Sequence, residues 1–475
     1  MMRIRTLVVL GVLVLMGLSA GAAQALPGLT TGFFSDPVLT TESAATRAIW
    51  LPRAVNEGAG MVRININWAA VAPQTRPAGF NASNPASPGY NWTAIDSQVR
   101  ALHSYGLKIL ITITNAPTWA EGADIPKGET PGTWKPSAVD YGAFASAAAK
   151  RYGGHFPDPS QPGTDLPKVS DWQGWNEPNL SVYLSPAWVR SGHRWVAESP
   201  IIFRGLMNAL YKSVKAVSKS NLVILGGTAP YGDPPGGERI PPAEFDRALF
   251  CLNGRTQLTP TPCSNPVHAD AIDHHPYGVA GPLSPALNPD DVAVPDIYKL
   301  TRILHAAERS GHILPAGPKQ VWVTEISWDS NPPDPQGVPI QRQARWYEQS
   351  MYVLWRQGVD TVMFLQLVDS PPIPNYASSY QSGLYYLNGN PKPSAIAFRF
   401  PFVTSRLKHT QIQAWGRAPQ SGKLTIEQYK HGDWKPLKRL AVQRRQVFVS
   451  NLAITGGAVL RAQIGSQTSL SWTES

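Results

Sequence analysis

Short apolar runs and amphipathic stretches alternate along most of this chain. Runs rich in Val, Ile, Leu and Thr fall at Leu29–Phe34, Met61–Asn67, Leu107–Thr114, Val169–Trp175, Leu222–Leu225, Ala269–His274, Gln320–Ile326 and Thr361–Leu367. Few show clean apolar–polar alternation, and such runs suit parallel strands covered on both faces. Between them, Phe203–Lys219, Asp296–Gly311 and Ile340–Gly358 space their apolar residues by three and four, as helices do. Ser137, with Asp140 three residues on, signals a helix start before Tyr141. Eight alternations of this kind predict an α/β fold, a (β/α)8 TIM barrel with enlarged loops. A doubly wound open sheet is the rival, but no glycine-rich phosphate turn follows the first strand.

From about Phe402 the pattern changes. Short alternating segments (Thr410–Trp415, Leu424–Tyr429, Gln446–Val449, Ala458–Ile464) are separated by Gly, Asp, Ser and Pro. They predict a small C-terminal all-β sandwich. At the other end, Arg3 and Arg5 precede an apolar run from Leu7 to Leu18 and the small-residue site Ala23-Gln24-Ala25. That is the layout of a secretory signal peptide, with an uncleaved anchor as the alternative. The expected division is therefore 1–25 signal, 26–400 barrel and 401–475 accessory module, in a secreted, extracellular protein.

Export changes how the cysteines read. Cys251 and Cys263 are the chain's two cysteines and flank a Pro/Thr-rich stretch. A local disulfide is expected, and closing a loop of that size adds about 3 kcal/mol by chain entropy. No metal-ligand spacing occurs, so neither a metal nor a cofactor is expected.

The formal charge of +10 is unevenly spread. Residues 401–475 hold eleven basic residues against Glu427, Asp433 and Glu474, whereas 26–400 is close to neutral. A basic exported tail suits an anionic wall or lipid surface as partner. A solubilising face without a partner is the alternative.

Most of the 45 prolines sit in long loops, several of them just after a strand. In a barrel, such loops form the rim where substrate binds. Tyr90, Trp92, Trp119, Trp134, Tyr376 and Tyr380 lie on them.

Two carboxylates stand at strand ends. The fourth run finishes in Trp175-Asn176-Glu177-Pro178-Asn179, and the seventh in Thr324-Glu325. Strand ends of a barrel open onto one face, so Glu177 and Glu325 can meet across its mouth. Here the sequence resembles the clan A glycoside hydrolases, which include the cellulase-like family five and the β-xylosidase-like family thirty-nine. Besides the two glutamates, Arg63, the Trp92…Asp96…Gly106-Leu107 run, Pro117-Thr118-Trp119 and His274-His275-Pro276-Tyr277 carry the likeness over about residues 29–400.

The resemblance implies a TIM-barrel glycosidase that cleaves O-glycosidic bonds of a polysaccharide or oligosaccharide with retention. It implies Glu177 as acid/base and Glu325 as nucleophile. Arg63 and Tyr277 would hold Glu325, Asn176 would hold the sugar 2-hydroxyl, and His275 would line the site. Trp68, Trp119 and Trp328 stand just past strand ends, where their faces suit pyranose rings. Other readings stay open for each of these residues. A strand-end Glu can be a buried ion-pair partner, Arg63 can lock the barrel floor, and loop tryptophans often only pin loops. His274 can be a hydrogen-bonded core histidine, which makes His275 the better site residue.

The chain departs from the clan at two positions that shape the subsite beside the scissile bond. Strand three ends Thr112-Ile113-Thr114-Asn115 without a histidine, and strand eight ends Phe364-Leu365-Gln366 without a tryptophan. Two other functions use the same fold: a wall-remodelling transglycosylase, and a catalytically silent carbohydrate-binding barrel.

Overall fold

Residues 28–34, 36–278 and 280–474 are described by a computed structural model. The expected signal segment, 1–25, lies outside the described residues. Eight parallel strands close into a barrel: β1 (Thr30–Phe34), β2 (Met61–Asn67), β3 (Lys108–Thr114), β4 (Asp171–Gly174), β5 (Leu222–Leu225), β6 (Ala271–Asp273), β7 (Gln320–Val323) and β8 (Val359–Phe364). Each pairs with its neighbours in sequence, and β8 returns to β1 with Thr30 opposite Thr361. The TIM-barrel fold read from the sequence is the one observed.

The barrel strands alternate with eight principal helices: α1 (Ala44–Asn56), α2 (Thr93–Ser104), α3 (Ala138–Arg151), α4 (Ser199–Val217), α5 (Pro242–Leu249), α6 (Ile297–Ser310), α7 (Ile340–Arg356) and α8 (Pro393–Arg399). The Ser137 hydroxyl accepts from the Asp140 amide and caps α3, as its sequence signals. Three helices carry weaker signals. Pro52 interrupts α1, while α5 and α8 are short and open on proline.

What fills the barrel decides where the site lies. Met61, Leu110, Ile224, Ala271, Trp322 and Met363 form an apolar plug inside it. Side chains two positions on along a strand share a face. The next inward layer therefore includes Arg63, Thr112, Gln173, Asp273 and Thr324, five polar side chains that are all buried. A polar layer on an apolar floor requires internal partners for every group. It finds them in one another: Arg63 Nε donates to Thr112 Oγ1 at 2.8 Å, Thr112 Oγ1 to Gln173 Oε1 at 2.6 Å, and Gln173 Nε2 to Asp273 Oδ2 at 2.7 Å.

The C-terminal region forms two antiparallel sheets around a core of Phe400, Phe402, Ile412, Leu424, Ile426 and Leu460. Its main strands are β9 (Phe402–Lys408), β10 (Gln411–Arg417), β11 (Gly422–Lys430), β12 (Asp433–Val442), β13 (Val447–Ala453) and β14 (Ala458–Ile464). Trp415 packs on Tyr352 of α7 at 5.5 Å and Arg417 is buried against the barrel floor. Arg417 donates to the carbonyls of Leu29 (3.1 Å) and Gly58 (3.2 Å), and Arg444 to that of Val55 at 3.0 Å. Cations here meet carbonyls at the C-terminal end of α1, which is favourable for the helix dipole. Elsewhere, the disulfide between Cys251 and Cys263 forms as expected and clips the hairpin Leu252–Asn253/Thr259–Pro260.

Removing Arg417 takes the donor from the buried Leu29 carbonyl and leaves Gly58 O with only the long contact from the Thr31 hydroxyl. Arg417→Ala should cost about 1–3 kcal/mol in denaturant unfolding. Turnover at the far mouth of the barrel should be unchanged below the transition.

Candidate active site

The site grows from the ends of β4, β6 and β7. After Gly174 the chain turns sharply, with Trp175 at φ +66° and Glu177 at φ +39°. Neither residue favours this left-handed region, and each such position costs roughly 1–3 kcal/mol. The surroundings impose it. The Trp175 amide donates to Ile113 O at 2.9 Å, and its indole Nε1 donates to Tyr183 O at 2.7 Å. The Glu177 amide donates to Gly227 O at 3.0 Å. Asn179 locks the exit, donating to Ala229 O and Ile240 O and accepting from the Ala229 amide. The carboxylate of Glu177 is thus held from both sides.

Opposite it stands Glu325. One oxygen of each glutamate and a ring nitrogen of His275 all lie within 4.8 Å of one another. Glu177 and Glu325 keep 9% and 7% of their surface exposed, enough for access from the mouth. Arg63 reaches up from the polar layer to Glu325 Oε1 and donates through Nη2 to Asn176 Oδ1 at 2.8 Å. Its guanidinium lies over the Phe34 ring, 4.3 Å from the centroid. Tyr277 donates its hydroxyl to Glu325 Oε2 at 2.9 Å. Both oxygens of Glu325 therefore have a donor, while Asn176 keeps its amide N–H groups without a partner among the described residues.

His275 sits between the acids. Its Nδ1 is 3.0 Å from Glu177 Oε1 and 3.6 Å from Glu325 Oε1; its Nε2 is 3.4 Å from Asp273 Oδ2. Burial opposes its charge, yet Glu325, Asp273 and Glu177 outweigh burial and push it up to about 10. The neighbouring His274 behaves in the opposite way. Burial, helped by the charge of His275, brings it down to about 4. Neutral His274 donates from Nε2 to Val292 O and accepts at Nδ1 from Thr228, a structural pairing.

Glu177, His275 and Glu325 are also the His/Cys/Asp/Glu group among the described residues with spacing for a metal. Arg63 pairs with Glu325, and His275 lies within ion-pair reach of both glutamates, so the three side chains and Arg63 form one charged cluster.

The tryptophans are placed differently from expectation. Trp68 is fully buried, stacked on Phe144 at 5.6 Å and edge-on to Trp119 at 5.8 Å, and shows no face to the cleft. Trp119 spends its Nε1 on Pro73 O and lies beneath Arg76, pinning the β2 and β3 loops together. Trp328 is buried against Trp346 and donates to Ala280 O; its ring walls a cavity of about 490 Å³ beside Pro276 and Gly278. Of the three, Trp328 alone borders the segment carrying Tyr277.

Tyr183 escaped the sequence reading, and Tyr380 was read only as an aromatic on a rim loop. Tyr183 and Tyr380 are 36% and 50% exposed, and both hydroxyls are held up by burial and by Glu177 and Glu325 together. Tyr183 follows Glu177 by one loop turn and Tyr380 lies after β8, so their positions were the available signal. At the end of β8, Leu365 and Gln366 stand where the clan carries tryptophan. Gln366 is buried and donates to Ser370 Oγ and Tyr380 O.

The fold was compared with solved structures. A family 39 glycoside hydrolase from the gut symbiont Bacteroides cellulosilyticus WH2 aligns over 90% of this chain and 81% of its own, at TM-score 0.54 and 19% identity. The chain shares that hydrolase's fold. A glucosidase from Croceicoccus marinus aligns over 93% of this chain and all of its own, at TM-score 0.50 and 13% identity. No protein-family model matches the sequence, and no curated protein does either. These structural neighbours are clan A glycoside hydrolases, as the motifs implied.

Two outcomes follow from the geometry. A Cβ at Gly227 would collide with His275 Nε2 and Asp273 Oδ2. Gly227→Ala should therefore shift His275 and lower kcat/KM by about 100-fold, with circular dichroism unchanged. The His275 charge also links stability to pH, since its folded value lies above its usual 6.5. Its contribution is complete below about 6.5 and drains away as pH rises to about 10. In urea unfolding, the gap between wild type and His275→Asn should narrow over that window.

Proposed function

We propose that the protein is a secreted retaining O-glycosidase acting on a polysaccharide or oligosaccharide, with Glu325 as nucleophile and Glu177 as acid/base. One observation carries the reading: one oxygen of Glu177 and one of Glu325 lie within 4.8 Å of each other across the mouth of the barrel. Retaining enzymes hold their carboxyls about 5–5.5 Å apart, whereas inverting ones need about 6.5–9.5 Å to admit a water.

In the first step Glu325 Oε2 or Oε1 attacks the anomeric carbon as the bond to the leaving oxygen breaks. Glu177 passes its proton to that oxygen, which departs as an alcohol. The leaving group needs this proton because an alkoxide is a poor one. Arg63 and Tyr277 each hold one oxygen of Glu325 and aim the carboxylate, while the free N–H groups of Asn176 suit a contact to the sugar 2-hydroxyl. His275, protonated, donates to Glu177 Oε1 and leaves Oε2 as the oxygen that exchanges the proton. In the second step Glu177 takes a proton from water, the water oxygen attacks the anomeric carbon, and Glu325 is released. The sugar leaves with its starting configuration.

The open edges of the cleft suit ring stacking at Tyr183 and Tyr380 better than at the buried tryptophans. The same reading gives the C-terminal module the task of keeping the enzyme on an anionic surface.

The test is a panel of aryl glycosides and wall glycans. Glu325→Ala should reduce turnover to background. Glu177→Ala should lose about 10²–10⁴-fold on substrates with poor leaving groups, and much less on dinitrophenyl glycosides. Azide should restore Glu177→Ala and yield a glycosyl azide of retained configuration. Activity that survives Glu325→Ala would remove the assigned nucleophile. Transfer products that rise with acceptor concentration would change the reading to a transglycosylase, and no product from any glycan would change it to a binding protein.

A further inference from the structure

We propose that the outer face of the β11–β12–β14 sheet binds an acidic polysaccharide, one whose sugar rings carry carboxylates. The choice of a glycan rests on the glycosidase reading above. The rest is carried by the module itself.

Along β11 the residues alternate. Leu424, Ile426 and Gln428 point into the sandwich, leaving Lys423, Thr425, Glu427 and Tyr429 outside. Across the strands, Tyr429 lies opposite Trp434, Thr425 opposite Arg439, and Glu427 opposite Arg461. The Tyr429 and Trp434 rings stand 5.3 Å apart. Arg461 lies over Trp434, 4.1 Å from its centroid, and is tied to Glu427 at 2.8 Å, so that ring is fixed in place. Tyr429 is 47% exposed beside it. Lys423, Lys438 and Arg439 are exposed and meet no acid among the described residues.

Edge protection explains part of this. β12 is the edge of its sheet, and Lys or Pro on an edge strand prevents pairing with other chains. Lys435, Pro436 and Lys438 serve that purpose. It does not explain an aromatic pair oriented by its own cation–π contact, nor the unpaired Arg439 and Lys423 on the same face. Aromatic rings suit the C–H faces of a pyranose, and guanidinium suits a carboxylate in two-point geometry. A sugar ring with a carboxylate uses both together. The charge distribution supports the same occupant: the module carries eleven basic residues against three acidic ones, while the barrel region is near neutral. An acidic polymer would therefore draw in the module and leave the barrel mouth free.

Retention of the full chain on immobilised polygalacturonate tests this, with uncharged xylan and phosphatidylglycerol vesicles as the other arms. A Glu325→Gln chain run in parallel separates binding from turnover. Wild type and Glu325→Gln should both be retained by polygalacturonate, more weakly as salt rises. The double variant Lys423→Glu/Arg439→Glu, both sites exposed, should bind about ten-fold more weakly while turning over a small aryl glycoside as before. Trp434→Ala, confirmed folded by its melting curve, should lose the retention that persists at high salt. Equal retention of the double variant, equal retention on xylan, or capture by vesicles in place of the polymer would overturn the proposal. A chain that binds polygalacturonate yet hydrolyses no glycoside would refute the catalytic reading and leave this one standing.

Discussion

A single buried guanidinium holds the site together. Arg63 rises from the polar layer inside the barrel and at once binds Thr112, Asn176 and Glu325, with Phe34 beneath it. A charge this deep is expensive unless each of its donors is used and its partner is charged. Both conditions are met only when β2, β3, β4 and β7 stand in their observed register. The constraint therefore works in two directions. The barrel fixes where Arg63 can reach, and Arg63 fixes Glu325 and the turn that carries Glu177.

The same logic extends around the ring. Asp273 receives Gln173, the amides of His274 and Thr324, and the hydroxyl of Thr324. With these four donors already on it, it faces the Nε2 side of His275 at 3.4 Å and helps keep that ring protonated between the two glutamates. The cluster gathers two cations and three carboxylates, all of them largely buried beneath the mouth. Charges so placed need no reorganisation when a sugar begins to develop positive charge. Left-handed backbone at Trp175 and Glu177 is the strain this arrangement carries, and Asn179 together with the Gly226-Gly227 turn sustains it. At Gly226 a side chain would strike the carbonyls of Gly174 and Trp175.

Much of this was readable from the residues. Barrel strands covered on both faces appear as plain Val/Ile/Leu runs, so all eight stood out, and the acids at the ends of the fourth and seventh marked the mouth. The strand ends were overextended, because Trp175 and Thr324-Glu325 have the composition of strand but leave the ladder to form the site. Helix α1 was missed because Pro52 breaks its pattern. The tryptophans misled for a physical reason: a position just past a strand end can point outward under the helices as easily as inward to the cleft. Trp68 packs into the aromatic cluster with Phe144 and Tyr141, a destination that spacing along the chain does not encode. Tyr183 and Tyr380 reach the glutamates through loop conformations, which carry no periodic signal at all.

The covalent step is the claim on which the rest turns. It can be tested by quenching the enzyme with activated 2-deoxy-2-fluoro glycosides of the gluco, xylo, manno and galacto series, then mapping the adduct by peptide mass spectrometry. Fluorine at C2 slows release of the glycosyl group, so the ester accumulates. A fluoroglycosyl ester on the peptide containing Glu325 is the expected result. An adduct on another residue, or rapid hydrolysis to a product of inverted configuration with no adduct, would contradict it.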